Sequence, residues 1–130
     1  MNQGTAFDNH SPIYRQIAER VKADVLSGVL AADEQVMSTN QYAAFFRINP
    51  ATVAKAFQEL VDEGLLYKRR GIGMFVSPDA REKLLTEHRR RFFSSVVEPM
   101  VAEAKSIGIP MSEIIEHLQQ INREERHEQP

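Results

Sequence analysis

Apolar residues near the start of the chain recur at every fourth position, which is the spacing of one face of an α-helix. They are Ile13, Ile17, Val21 and Val25. Ser11 can cap the free amides of a first turn, and Pro12 suits the first helical position because no N–H is needed there. Gly28 supplies a stop signal. The pattern predicts a first helix, followed by a loop with one short strand up to Met37.

Two short helices are predicted next. Ser38 and Gln41 have the spacing of a capping box, in which each side chain bonds a free backbone amide of the other residue. The inward residues of this second helix are predicted to be Tyr42, Ala43 and Phe46. Asn49 as a cap and Pro50 at the first helical position then start a third helix, which runs to about Glu63 and ends at Gly64. Its buried stripe is predicted to be Val53, Ala56, Phe57 and Leu60.

Two strand-like runs follow the third helix. Residues 65–69 and 74–76 are rich in β-forming residues, and Gly71-Ile72-Gly73 separates them, which predicts a β-hairpin. Two short helices joined by a turn of three or four residues form a helix-turn-helix. A hairpin directly after such a pair is a wing, so residues 1–76 are predicted to form a winged helix-turn-helix.

Residues 77–130 are predicted to form a short α-helical dimerisation tail. Helical composition runs from Ser77 to Ile107, and Pro99 is expected to kink or divide this helix near Glu98. A turn over residues 107–110 precedes a last helix from about Met111, whose end from Glu124 is expected to fray. The apolar stripe of the tail is Leu85, Phe92, Val96, Met100, Ile114, Leu118 and Ile121. The fold class is therefore mainly α with one small hairpin.

Composition narrows the function classes. The chain has 130 residues, of which 42% are hydrophobic and 26% charged, a composition typical of soluble folded proteins. The absence of cysteine excludes disulfides and zinc–cysteine sites. No apolar run approaches a membrane span, and the start of the chain lacks a signal peptide pattern, so we expect a cytoplasmic protein without a membrane partner. No set of nucleophile, base and orienting group suggests an enzyme, and the four scattered histidines suggest no metal site or other cofactor.

Charge is unevenly distributed. The net charge of −2 is low for a nucleic-acid-binding protein, but affinity for DNA depends on where the cations lie. Two basic clusters stand out, residues 68–70 and 89–91, while much of the acid lies in the tail. The arginines of the second cluster point in different directions on a helix, and one or two of them are expected to form ion pairs.

The outer face of the third helix is small and polar, which suits insertion into a major groove. Ala51, Lys55 and Gln58 lie on this face, with Thr52 on its flank. Glutamine can pair with adenine, lysine with guanine or phosphate, and the methyl groups of alanine and threonine can touch thymine. Asn49 can cap the helix and also present its amide to the DNA backbone. Lys68, Arg69 and Arg70, beside Gly71 at the hairpin tip, are predicted to contact phosphates or the minor groove.

The region from Ser11 to Val76 resembles the DNA-binding domain of GntR-type bacterial regulators. The resemblance rests on Pro12-Ile13-Tyr14-x-Gln16-Ile17, on residues 48–60, on Glu63-Gly64-Leu65 and on Gly71-x-Gly73-x-Phe75-Val76. The string Asn-Pro-x-Thr-Val-x-Lys-Ala-aromatic, with a tail of about fifty residues, resembles the short-tailed YtrA-type branch. This branch is known for a two-helix dimerisation tail, and its members often repress operons that encode ABC transporters.

The resemblance implies DNA contacts at specific positions. They are Ser38 at the start of the second helix, the segment from Asn49 to Thr52, and Gly71 at the wing tip. Asn40 and Pro50 stand where relatives often carry arginine, and an amide cannot replace a bidentate cation. Larger relatives hold an effector pocket in the C-terminal domain. The present tail is too short to enclose one, which leaves a groove at a dimer interface for an unidentified small-molecule effector.

Three functions stay open from the sequence. The first is a homodimeric repressor that binds a palindromic operator in double-stranded DNA, with half-sites about one helical turn or a multiple apart. The second is a winged-helix module that binds another protein. The third is a ligand sensor that acts through the tail.

Overall fold

The structure, a computed structural model, describes residues 7–128. Within that range the chain forms six α-helices and one antiparallel hairpin. In chain order they are α1 Ile13–Ser27, α2 Thr39–Phe46, α3 Pro50–Asp62, β1 Leu66–Arg69, β2 Gly73–Val76, α4 Ala80–Phe92, α5 Glu98–Ser106 and α6 Met111–Glu128. A π-helical turn, Phe93–Val97, separates α4 from α5. The predicted fold class, a winged helix-turn-helix followed by helices, is confirmed.

The start of α1 differs from the prediction by one residue. Pro12 is the N-cap and Ile13 the first helical residue, and no side chain caps the helix. Ser11 does not cap because it lies one residue before the N-cap position. Its carbonyl accepts a hydrogen bond from Gln16 Nε2 at 2.7 Å, and the Gln16 side chain also bonds both backbone groups of Asp8. The Gln16 side chain thus holds the segment that precedes α1 against the helix. Gly28 ends the helix as predicted, in a left-handed conformation with φ of 87°.

The predicted caps of α2 and α3 are confirmed. The Gln41 amide donates to Ser38 Oγ at 3.1 Å, and the Ser38 amide donates to Gln41 Oε1 at 3.0 Å. The Ala51 amide donates to Asn49 Oδ1 at 2.8 Å, with Pro50 at the first helical position. Between the helices Arg47 adopts a left-handed conformation with φ of 55°, which reverses the chain within a short turn. These caps and the left-handed turn at Arg47 fix where α2 ends and where α3 begins.

The core of the winged helix-turn-helix contains apolar residues that were predicted to face inward on α1, α2 and α3. All four predicted positions of α3 are buried, together with the inward face of α1, Tyr42 and Ala43 of α2, and the hairpin residues Leu66 and Val76. Phe46 is only partly buried and packs on the edge of this core. Ala80 and Leu84 of α4 are also fully buried in it. The first turns of α4 therefore contribute to the same core as α1–α3.

The hairpin pairs Leu66 with Val76 and Arg69 with Gly73. The loop before α2 adds a third, short pairing, because the Val36 amide donates to the Met74 carbonyl and the Val76 amide donates to the Glu34 carbonyl, each at 2.9 Å. Gln35 and Phe75 form the corresponding bridge. The short strand predicted before Met37 is thus reduced to one bridge along the outer edge of the wing.

The chain divides into two compact units, one ending at Thr86 and the other beginning at Glu87. In the second unit the π-helical turn lies just before Pro99, at the place where a kink or division was predicted. Pro99 has no N–H and its ring crowds the carbonyl four residues back, whereas the wider turn lets the Glu98 amide donate to the Phe93 carbonyl. After the predicted turn at residues 107–110, α6 continues to Glu128. Residues 124–128 are thus helical, residues 129–130 lie outside the described range, and the expected fraying of the end stays a prediction.

Candidate DNA-binding surface

The exposed face of α3 carries the predicted base-reading residues. Ala51, Lys55 and Gln58 are exposed, and Thr52 is half-buried on the flank. This placement follows from the helical period, because Val53, Ala56, Phe57 and Leu60 hold the opposite face in the core. The side chains on this exposed face are small at the N-terminal end of α3, and the longer polar side chains lie further along the helix. Such a profile fits a helix that enters a groove about 12 Å wide by its first turns.

The position of Lys55 is set by a neighbouring helix. Its ammonium lies over the ring of Tyr14 on α1, with Nζ 3.9 Å from the ring centroid. A cation over an aromatic face is held by the ring quadrupole. Sequence reasoning did not identify Tyr14 as part of this surface, because the two residues are 41 positions apart and only the packing of α1 on α3 brings them together.

Gln58 is engaged in the free protein. Its Nε2 donates to Asp62 Oδ1 at 2.9 Å, one turn along α3. Both side chains are exposed, so the bond competes with water and is easily exchanged. Pairing of Gln58 with a base therefore requires the side chain to leave Asp62.

A concave groove joins the start of α2, the middle of α3 and the wing. Its volume is about 480 Å³. The residues that line it include five of the predicted DNA-contacting residues, Ser38, Lys68, Arg69, Arg70 and Gly71. The structure brings these five together, while Asn49 and the exposed face of α3 lie on the neighbouring helix surface.

Two cations of this groove form no ion pair within the part of the chain that the structure describes. Among residues 7–128, Lys68 and Arg70 form no ion pair, and Arg69 stacks its guanidinium 5.5 Å from the Phe75 ring centroid. The second basic cluster behaves differently, because Arg90 and Arg91 both pair with Glu87. The expected ion pairs in that cluster are confirmed. Of the two basic clusters, the wing cluster thus has the cations that are more available for phosphate oxygens.

Gln35 braces the wing tip, a role that the sequence did not reveal. Its Nε2 donates to the Ile72 carbonyl at 3.1 Å. Gly73 has a φ of 148°, a backbone conformation that residues with a side chain rarely adopt, and a β-carbon there would displace the end of the Gln35 side chain. Gly71 at the tip has a φ of 76° and open space around it. The tip is therefore shaped by its two glycines and held from one side by Gln35.

The base of the wing is fixed by a second contact. The Tyr67 hydroxyl donates to Asp33 Oδ1 at 2.7 Å, and this hydrogen bond raises the pKa of Tyr67. The Tyr67 ring also stacks on Phe75 across the hairpin, with centroids 5.6 Å apart. Asp33 belongs to the loop before α2, so the contact ties the wing to that loop.

Within residues 7–128 no group of three or more His, Asp or Glu side chains is placed to hold a metal ion. None of the described helices has the length and apolar character needed to cross a bilayer.

The capping role of Asn49 leads to a stability prediction. Asn49→Ala is expected to lower the free energy of unfolding by about 1 kcal/mol, because the Ala51 amide loses its acceptor. Asn49→Ser should recover most of that loss, since serine also caps. Asn40→Ala is the matched control, because Asn40 is exposed on α2 and makes no side-chain hydrogen bond among the described residues. Urea denaturation measures all three, and equal stability of the Asn49→Ala and Asn40→Ala variants would contradict the cap.

Comparison with known proteins agrees with this architecture. The family model described as "Bacterial regulatory proteins, gntR family" matches residues 13–76. The HTH-type transcriptional repressor YtrA of Bacillus subtilis (strain 168) is 28% identical over 112 residues, which are 86% of this chain and 85% of that protein. A solved transcriptional regulator from Oenococcus oeni superposes with a TM-score of 0.76 at 28% identity, covering 92% of this chain and 98% of the other.

A third relative was solved with DNA. The AraR DNA-binding domain in complex with operator ORR3 is 30% identical and superposes with a TM-score of 0.51, covering 55% of this chain and 86% of that one. The family and these relatives are regulators of transcription, which agrees with the absence of an enzyme-like constellation in the sequence. The protein is therefore a DNA-binding transcription regulator and not an enzyme. The chain belongs to the gntR family of bacterial regulatory proteins and is similar over most of its length to the short repressor YtrA.

Proposed function

We propose that the protein is a homodimeric repressor that binds a palindromic operator, with α3 in the major groove and the wing on the adjacent DNA backbone. The observation that carries this proposal is the groove in which the start of α2, the side of α3 and the three wing cations meet. Backbone contacts position a protein on DNA, and side chains on an inserted helix read the bases. The DNA-binding unit has both a basic groove for backbone contacts and an exposed helix face for contacts with bases.

The chemistry of each side chain decides whether we assign it to the DNA backbone or to the bases. Lys68, Arg69 and Arg70 neutralise phosphates, which releases counterions and supplies affinity that does not depend on sequence. Asn49 and Gly71 approach the backbone closely, the former through its amide and the latter because it lacks a side chain. Gln58 reads a base through its amide and Lys55 reads guanine or a phosphate. Ser38 contributes at the start of α2 mainly by holding that helix in place.

The dimer is proposed from the exposed apolar surface of the second unit. Phe92, Val96 and Leu118 are 52%, 51% and 50% exposed, and Met100 and Ile121 are also exposed, with Ile114 half-buried. The seventh predicted residue, Leu85, is half-buried and belongs to the first unit. Large exposed apolar patches on a soluble chain mark interfaces. A symmetric pairing of two copies would bury the same patch on each.

A groove between α5 and α6 supports the same conclusion. It has a volume of about 340 Å³, and Met100, Ile114 and Leu118 of the predicted stripe line it. Because the groove is open and shares these residues with the exposed patch, we assign it to the side chains of the second copy. A ligand sensor in the tail would instead need this groove to stay accessible after dimerisation.

The regulated genes are proposed from the relatives. The similarity to the YtrA repressor extends over both the DNA-binding unit and the tail, since it covers 86% of this chain. Together with the resemblance to the YtrA-type branch, this favours repression of an operon that encodes an ABC transporter. Genes for an ATPase and a permease next to the gene for this protein would agree with that assignment.

The base-reading role of Gln58 provides a test of the proposed function. A binding site is first selected from randomised DNA with the full-length protein. Gln58→Ala is then expected to lose about 1–3 kcal/mol of binding free energy on the selected site while its affinity for random DNA stays unchanged. Fluorescence anisotropy at one fixed salt concentration measures both affinities.

Asp62→Ala is the matched control for this measurement. It frees Gln58 from its hydrogen bond without removing the amide, so operator affinity is expected to be equal or higher. Failure to select any sequence above the random pool would contradict operator binding and favour the protein-interaction module. Equal losses of the Gln58→Ala variant on selected and random DNA would remove Gln58 from base reading.

A further inference from the structure

An apolar side chain lies at the tip of the basic wing. Ile72 is 56% exposed and lines the same groove as Lys68, Arg69 and Arg70. The pairing of the hairpin ends at Arg69 and Gly73, so Ile72 belongs to the loop that joins the two strands. A single exposed apolar residue is common on protein surfaces, so exposure alone assigns no role to Ile72. Its backbone and its neighbours in the loop do.

The backbone of Ile72 is held on both sides. Its amide donates to the Arg69 carbonyl at 2.9 Å and closes the turn, and its carbonyl accepts from Gln35 Nε2 at 3.1 Å. Gly71, with a φ of 76°, stands at the third position of this turn, where a positive φ favours glycine. The tip is thus ordered before it meets DNA, so little conformational entropy is lost when it binds.

The two neighbours of Ile72 make the tip narrow. Gly71 and Gly73 have no side chains, so one apolar side chain stands between two bare pieces of backbone. The minor groove of DNA is about 6 Å wide, half the width of the major groove. A narrow tip, with cations beside it for the phosphates that border the groove, fits the minor groove better than a surface made of long side chains alone.

The floor of the minor groove differs between base pairs in one group. All pairs present acceptors there, and only G·C adds the N2 amino group of guanine. An isoleucine side chain has no atom that accepts a hydrogen bond, so it would cover this donor and leave it without a partner. A buried donor without a partner costs free energy. An apolar side chain in the minor groove therefore favours A·T pairs.

We infer that Ile72 makes the protein prefer A·T pairs where the wing meets the DNA, through apolar contact in the minor groove. This inference rests on the proposed function, since it requires the wing to lie beside a bound operator. It adds a second place where sequence is read, outside the segment that α3 contacts. The partner group on the DNA is the smooth floor of an A·T-rich minor groove.

Selection from randomised DNA with the full-length protein, followed by base substitution in the selected site, tests the inference. A·T pairs are expected to be enriched in the flanks, which are the positions next to the segment read by α3. One flanking A·T pair is then changed to G·C and, separately, to inosine·C, which keeps the major groove of G·C but lacks the amino group in the minor groove. The G·C site should bind about fivefold more weakly or worse, and the inosine·C site should bind like A·T. Fluorescence anisotropy measures all three affinities.

Variants of the tip connect this preference to Ile72. Ile72→Ser should bind the A·T and G·C sites alike, whereas Ile72→Val, which keeps a branched apolar side chain, should retain the preference. Val29→Ser is the matched control, because Val29 is an exposed apolar residue in the loop after α1. It should retain the preference in full. Both positions are exposed, so the melting temperatures should stay close to that of the unmodified protein.

Three results would overturn the inference while leaving operator binding in place. They are a selected site without A·T enrichment in its flanks, equal losses for the G·C and inosine·C sites, and an unchanged preference in the Ile72→Ser variant. Ile72 would then be a solvated residue of the turn. Failure to select any site would instead overturn the proposed function, and this inference with it.

Discussion

Replacing Leu118 by glutamate is expected to turn the protein into a monomer that binds its operator about 100-fold more weakly. Leu118 is half-exposed on α6 and lines the apolar groove between α5 and α6. In a dimer the substituted carboxylate would be buried against apolar side chains without a partner, which strongly disfavours association. A monomer meets each half-site separately and loses the high effective concentration of the second recognition helix.

Sedimentation equilibrium and anisotropy on the selected operator measure the two effects of this change. Val29→Glu is the matched control, because Val29 is a 66% exposed apolar residue in the loop after α1, outside the tail. It introduces the same charge and should leave both association and operator affinity unchanged. A dimeric Leu118→Glu variant with full operator affinity would show that this face of α6 is not the interface.

Replacing all three wing cations, Lys68, Arg69 and Arg70, by alanine is expected to weaken binding to every DNA sequence. The slope of log K against log salt should fall by about 0.9 for each lost phosphate contact, so by about 2–3 for the triple variant. Affinity at low salt should fall by about 100-fold or more, whereas the preference for operator over random DNA should change little. The reason is that these cations contact phosphates, which carry no sequence information.

The second basic cluster supplies a control with the same loss of charge. Residues 89–91 are also three cations, but Arg90 and Arg91 are already paired with Glu87. Their replacement by alanine should reduce the salt slope by much less than the wing variant. Equal slopes for the two triple variants would mean that net charge, and not the position of the wing, determines the affinity.

Features with local causes could be predicted from the sequence. The capping box of Ser38 and Gln41 and the cap at Asn49 depend on residues only two or three positions apart, and both are present. The buried face of α3 followed from the helical period alone. The start of α1 lies one residue later than predicted, with Pro12 and not Ser11 as the N-cap.

Features with tertiary causes could not be predicted. The Tyr14 ring under Lys55 and the Gln35 side chain under the wing tip both depend on residues brought together by packing. No spacing rule identifies such pairs in a single sequence. The π-helical turn before Pro99 is an intermediate case, since the proline signalled a disturbance but not its geometry. Sequence reasoning therefore identified the exposed face of α3 and the wing cations, but not the side chains that position them.

Hydroxyl-radical footprinting of the full-length protein on its selected operator is the most direct test of the central claim. A dimeric regulator is expected to protect two half-sites related by two-fold symmetry, with centres about 10 base pairs or a multiple apart, that fill together as protein is added. A single protected segment without symmetry, or protection no stronger than on random DNA, would contradict a dimeric regulator that reads a palindromic operator.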